Sequence, residues 1–266
     1  NLKNRKIPMS SHASPRCILI TGATGGIGGA LAPAYAAPGV TLILQGRRQD
    51  RLAEMAEQCR ALGAQVLLEA LDVRDLDALR AMVRRVSEQH QPDLVLVGAG
   101  LNTAVGANGE AEDWDDSRAL MEVNVMAALA TVEAALPAMR SRGDGQIALF
   151  SSLAGWRGLP VTPTYSASKA AIRVYGEAIR DWLAPEGVKV NVIVPGYVES
   201  KMCFEMPGPK PFLWTADKAA RRIKRGLAAN QARISFPFPL NLGTWLLGLI
   251  PQWLSSMILR GLKYSD

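Results

Sequence analysis

Histidine is nearly missing from this chain: only His12 and His90 occur in 266 residues. That scarcity argues against a histidine-based triad or a multi-histidine metal site. Cysteine is also scarce. Cys17, Cys59 and Cys203 form no C-x-x-C pair and no metal-ligand spacing, which excludes a disulfide scaffold and leaves no metal to expect. They read as buried thiols of a reducing compartment, so a cytoplasmic setting is expected. Residues 1–15 lack the apolar stretch of a secretory signal and read as a flexible basic leader. No repeat and no Pro/Gly linker divides the chain. One domain is therefore expected over 16–236, with 237–266 as an apolar extension packed on it.

The composition, 48% hydrophobic and 20% charged, is that of a folded protein. Its net charge of +6 is unevenly spread. Residues 201–266 hold ten basic and three acidic side chains, whereas residues 17–200 hold more acids than bases. A nucleic-acid reading would rest on the two ends alone, with no recognisable module, so no nucleic-acid partner is expected.

Short apolar runs at 17–21, 40–45, 66–71, 94–97, 146–151 and 188–194 read as buried strands. Helical patterns lie between them, at 26–37, 50–62, 75–89, 115–140 and 164–184. A further helix is plausible at 215–229 and one more strand at 232–236. This alternation predicts an α/β architecture: a parallel sheet with helices on both faces, in three layers.

After the first strand comes Ile20-Thr21-Gly22-Ala23-Thr24-Gly25-Gly26-Ile27-Gly28, opening the first helix. Glycines there let the backbone turn tightly and approach a pyrophosphate, while the helix N-terminus offers free N–H groups. A dinucleotide site selective for NAD closes its second strand with an acid that binds the ribose 2′-hydroxyl. Here Leu44-Gln45-Gly46-Arg47-Arg48 brings two guanidinium groups instead, which suit a 2′-phosphate. NADP(H) is therefore expected over NAD(H), through Arg47 first and Arg48 second. Asp72 ends the third strand, where a short acceptor can meet the adenine; a plain strand-end aspartate fits the spacing equally well.

Tyr165-Ser166-Ala167-Ser168-Lys169 sets a phenol and an ammonium four apart, on one face of a helix. A phenol is a poor acid or base at neutral pH, and a neighbouring ammonium favours its ionised form. The spacing occurs twice, since Tyr197 and Lys201 are also four apart. Context separates them. Tyr165 opens an amphipathic helix, and Ser152 stands thirteen residues before it at a strand end; the residue thirteen before Tyr197 is Ala184.

On these motifs the chain resembles the short-chain dehydrogenase/reductase family, from Arg16 to about Phe236. The resemblance implies a Rossmann-type doubly wound sheet. It matches Asn124, Ser152, Tyr165 and Lys169 to the catalytic positions. Tyr165 would give a proton to a substrate carbonyl oxygen and Ser152 would hydrogen-bond that oxygen. Lys169 would lower the tyrosine pKa and bind the nicotinamide ribose, and Asn124 would hold a water linking Lys169 to solvent. Implied cofactor positions are Thr21, Gly22, Thr24, Gly26, Ile27 and Gly28 in the loop, then Asp72, Val73, Ala99 and Gly100. Tyr165 and Lys169 share that role, as do Pro195, Gly196, Val198 and Ser200, the last in place of a threonine. Homodimer or homotetramer formation through the helices at 115–140 and 164–184 is implied as well.

Three features depart from the family pattern. Val97-Gly98-Ala99-Gly100 replaces Asn-Asn-Ala-Gly, which removes side-chain hydrogen bonds from the fourth strand. Pro33 falls inside the first helix, where a kink or a shortened turn is expected. The glycine loop carries no basic residue.

The C-terminal part should choose the substrate. Met202, Phe204, Met206, Phe212, Leu213 and Trp214 form an apolar stretch suited to a lipophilic ligand, or to packing on its own core. From Ile234 to Leu259 no residue is charged. Pro237, Pro239 and Pro251 argue against a single membrane-spanning helix. The alternatives are a flap for dimer contact or substrate closure, and an interfacial anchor over 237–263 that uses Trp245 and Trp253 beside basic residues. The leading expectation is an NADPH-dependent reductase of an apolar ketone or aldehyde, or the reverse alcohol oxidation. The alternative is a non-catalytic cofactor-binding sensor or scaffold.

Overall fold

The computed structural model describes residues 14–106, 109–206 and 208–261. All of the expected leader but its last two residues lies outside them, as does Lys263. Strand and helix alternate from the start: β1 (Cys17–Thr21), α1 (Gly26–Tyr35), β2 (Thr41–Gly46), α2 (Gln49–Ala61), β3 (Gln65–Ala70), α3 (Leu76–His90) and β4 (Leu94–Val97). Next come α4 (Trp114–Met121), a π-helical turn at Glu122–Met126, α5 (Ala127–Arg142), β5 (Gly145–Phe150), a 3-10 turn at Leu153–Gly155, α6 (Pro163–Leu183) and β6 (Val188–Pro195). The last part holds α7 (Lys201–Glu205), α8 (Ala216–Ala228), β7 (Arg233–Phe236), α9 (Leu240–Leu247) and α10 (Gln252–Gly261).

All seven strands pair in parallel, in the order β3-β2-β1-β4-β5-β6-β7. The chain winds outward twice from β1, so the order reverses between β1 and β4. Parallel pairing needs crossovers, and crossovers place helices on both faces. Each face has its own core. Leu31, Leu52, Ile223 and Phe236 pack with Ile18, Ile20 and Leu44 on one side. Leu79, Val83, Val132 and Ile179 pack with Leu19, Ile43 and Val95 on the other.

Several expectations are corrected here. The helix at 115–140 is interrupted by the π turn that contains Asn124. Pro33 lies in the last turn of α1, two residues before its end, so it withholds one in-helix donor, from the Gly29 carbonyl, with little helix left to kink. Cys17 is half-buried rather than buried, and burial pushes its thiol up to about 11. As the prolines led us to expect, the uncharged run 234–259 is not one helix: it divides into β7, α9 and α10. By contrast, the stretch Trp114–Arg142 is long and apolar enough to cross a membrane. Here Val123, Ala127 and Val132 from it join the core formed with α3.

Candidate active site

Open parallel sheets leave a crevice at the carboxyl ends of their strands, at the point where strand order reverses. Here that crevice lies between β1 and β4. Gly22 sits at φ +67°, and a Cβ there would come within 2.7 Å of the Ala99 backbone. Gly28 would meet the Gly22 carbonyl at 2.5 Å and Gly26 the Ser200 Cβ at 2.4 Å. These three glycines are therefore required by the protein's own packing. The loop is braced by a residue that the motif reading missed. Buried Gln45 accepts from Gly22 N at 3.1 Å and donates to Leu71 O at 2.9 Å. Its signal was a lone amide inside an apolar strand.

Thr21 is also buried, and its hydroxyl accepts from Gly98 N at 3.1 Å. It supplies the side-chain hydrogen bond that Val97-Gly98 gave up, so its contribution to a cofactor runs through the shape of the floor. The N-terminus of α1 carries no side-chain cap, and Gly25 and Gly26 are exposed. Its first-turn N–H groups thus fit a pyrophosphate. Thr24 lies beside Gly46, at the start of the loop that bears the arginines, where a Cβ would come within 3.4 Å of its side chain. Arg47 and Arg48 are exposed, with Arg48 opening α2. Asp72 is held by Arg74 through its guanidinium at 2.8 Å and its backbone N–H at 3.0 Å. Arg74, with a smaller effect from Arg47, keeps its carboxyl below the usual range. Val73 is a core side chain.

Ser152 follows β5, and Tyr165 and Lys169 lie on the first two turns of α6. The structure brings all three together. Ser152 hydrogen-bonds the Tyr165 hydroxyl, which favours the phenolate. Burial is larger and pushes the phenol upward, so Tyr165 is a protonated donor at neutral pH. Lys169 is 6% exposed and burial lowers its ammonium to about 8. Its Nζ donates to Phe150 O at 3.0 Å and lies 5.5 Å from the Tyr165 ring centroid. The expected lowering of Tyr165 by Lys169 is therefore not what governs this pair; burial governs both groups.

Asn124 lies in the π turn and is buried. Its side chain clamps Leu101, accepting from Leu101 N at 2.7 Å and donating to Leu101 O at 3.0 Å. It also donates to Ser168 Oγ at 3.0 Å, and Ser168 in turn donates to Tyr165 O at 2.7 Å. The π turn, the strand β4 exit and α6 are thereby tied together beside Gly100. Ser151 donates to Lys169 O at 2.7 Å on the opposite side. Neither Ser151 nor Ser168 carried a motif signal. Tyr197 and Lys201, the second spaced pair, do not share a helix: Tyr197 precedes α7, and Lys201 is exposed beside Glu205.

Gly155 sets how closely the 3-10 turn approaches α6, since a Cβ there would lie 2.9 Å from the Lys169 carbonyl carbon. Gly155→Ala is expected to cost about 1–3 kcal/mol of stability through overpacking. Turnover should fall with cofactor affinity nearly unchanged; thermal melts, kinetics and cofactor titration check this.

A cavity of about 450 Å³ opens beside this cluster. Ser152 and Tyr165 line it, with Pro195, Gly196, Val198 and Ser200 from the β6 exit. Met202, Cys203 and Met206 contribute from the α7 segment, and Leu240, Leu247 and Leu259 from α9 and α10. Residues of α9 and α10 thus wall one side of the cavity. Phe204, Phe212 and Leu213 are exposed instead, and Trp214 stacks on Phe236 at 5.0 Å. The solvent side of this segment remains apolar, with Leu249, Trp253 and Met257 exposed.

A profile of the short chain dehydrogenase family matches residues 16–207. The chain belongs to that family. An uncharacterized oxidoreductase of Myxococcus xanthus is 35% identical over 254 residues, covering 95% of this chain and 100% of that protein. A ketoacyl reductase of Nostoc sp. is 32% identical over 185 residues, or 69% of this chain and 63% of that protein. Among solved structures, a short-chain dehydrogenase from Sphingobium yanoikuyae in complex with NADPH superposes with a TM-score of 0.78. It is 23% identical and covers 90% of this chain and 95% of its own. The fold of this short-chain dehydrogenase is thus that of its family, and Ser152 and Tyr165 line one cavity.

Proposed function

We propose that this short-chain dehydrogenase is an NADPH-dependent carbonyl reductase, acting on apolar ketones or aldehydes or oxidising the matching alcohols. The single observation that carries the reading is a buried Tyr165 whose hydroxyl is bonded to Ser152 at the wall of an apolar cavity. Tyr165 donates its proton to the substrate carbonyl oxygen, and Ser152 hydrogen-bonds the same oxygen as negative charge develops there. Lys169 would hold the ribose of a bound cofactor and orient it beside Tyr165. A bound nicotinamide supplies the hydride. The lining by Met202, Met206, Leu240 and Leu247 excludes water and favours an apolar substrate body. The likeness to a ketoacyl reductase supports a carbonyl substrate, and the fold neighbour that holds NADPH supports the cofactor.

The phosphate preference is assigned to Arg47, which is exposed at the end of β2 with no carboxylate in ion-pair contact among the described residues. Steady-state kinetics with a panel of apolar ketones should show a lower KM for NADPH than for NADH. Arg47→Ala should weaken NADPH by about tenfold or more, the worth of a charged hydrogen bond, and leave NADH nearly unchanged. A parent enzyme that prefers NADH would end the cofactor assignment.

A further inference from the structure

Among the described residues, Arg157 is the one charged side chain lining the cavity that Tyr165 also lines. Its place is fixed from two directions. The preceding residue, Trp156, meets the Arg173 guanidinium at 4.3 Å and that of Arg233 at 5.2 Å from its ring centroid. Glu177 pairs with both of those arginines, at 3.2 and 2.8 Å. Arg157 itself reaches α10. Its Nε donates to Ser255 Oγ at 3.0 Å, its Nη2 to Ser256 Oγ at 3.2 Å, and its Nη1 to Gly158 O at 3.2 Å. Ser255 is 1% exposed and donates its own proton to Gln252 O at 3.0 Å, so its oxygen faces Arg157 as an acceptor.

All of these partners are neutral. Arg173 and Arg233 have Glu177, but among the described residues no carboxylate pairs with Arg157. The guanidinium is therefore oriented without being neutralised. Three of its five N–H groups are engaged, which leaves two donors of a planar fork. A positive charge at an apolar wall attracts an anion more strongly than it would in water. A carboxylate matches the fork's shape as well as its charge.

We propose that Arg157 is the anion-binding residue of the substrate pocket, and that the substrate is an apolar carbonyl compound carrying a carboxylate. This rests on reading the cavity as the substrate pocket. The carbonyl lies at Ser152 and Tyr165, the carboxylate at Arg157, and the aliphatic body against the apolar wall. A role limited to tethering α10 predicts no preference for an anion, and that difference is measurable.

The full chain is titrated with decanoate and with methyl decanoate near neutral pH, and tryptophan fluorescence is followed. Decanoate should bind about tenfold or more tightly than its ester. Arg157→Gln should bring the two within about twofold, with the ester affinity held, and Arg157→Lys should keep part of the preference. Ser256→Ala removes one tether but not the charge, so its preference should match the parent's. Equal binding of acid and ester by the parent, or a preference that survives Arg157→Gln, overturns the proposal. So does a parallel loss of both ligands in Arg157→Gln, which marks a tether only. A chain that selects decanoate through Arg157 but reduces no carbonyl compound keeps the anion site and ends the reductase reading. One that reduces neutral ketones with no anion preference does the opposite.

Discussion

Tyr165→Phe is expected to lower turnover by roughly 10²–10⁴-fold, the range for removing a positioned general acid. Cofactor affinity should stay within about twofold, because the cofactor loop is built by Gly22, Gln45 and α1, away from the phenol hydroxyl. The substitution removes one oxygen and leaves the ring in place, so the buried packing of Tyr165 against Leu120 and Ala154 survives. Steady-state kinetics paired with cofactor titration make the measurement. Near-parental turnover in this variant would show that another group protonates the product. A parallel loss of cofactor binding would show that the hydroxyl supports the fold of the site rather than the chemistry.

Lys169→Met should separate activity from stability. Turnover is expected to fall about as far as in Tyr165→Phe, since the group that orients the cofactor beside the acid is gone. Stability without cofactor should respond to pH in a particular direction. In the folded chain the Lys169 ammonium titrates near 8 rather than near 10.5. Between those values the unfolded chain binds more protons than the folded one, so parental stability rises with pH across that window. Below it, the buried ammonium destabilises the parent by about 3 kcal/mol relative to alkaline solution. Methionine has no such dependence. The stability difference between variant and parent should therefore be most favourable to the variant at neutral pH, and shift toward the parent by about 3 kcal/mol on going to strongly alkaline pH. The bond from Lys169 to Phe150 O, lost in the variant, offsets part of the gain. Denaturant melts across that range check the slope; parallel curves would mean that Lys169 is not desolvated in the folded chain.

Much of the fold was legible because its signals are local. Leu94–Val97 reads as a strand and is one, since an apolar run of that length between turn residues suits a sheet covered on both faces. The spacing of Tyr165 and Lys169 was equally legible, because a helix fixes what four residues apart means. Legibility failed where a residue's role depends on distant chain. Asn124 carried the right motif, but its clamp on Leu101 and Ser168 follows from the π turn and from where β4 exits. The prolines after Ile234 showed that the apolar run would be broken, but not that the two helices following β7 would line the cavity.

Periodicity, turn residues and motif spacing by themselves determined the order of strands and helices, the glycine loop at the first helix and the Ser152, Tyr165, Lys169 set. These depend on interactions between near neighbours, which a linear pattern records. Only the tertiary structure decided that burial, rather than the Lys169 charge, governs Tyr165, and that Gln45 braces the loop. It also set Arg157 against Ser255 and Ser256, nearly a hundred residues away, at the wall of an apolar cavity. Burial and long-range pairing are properties of surfaces brought together by folding. A residue's own neighbours in sequence do not say which surfaces those will be.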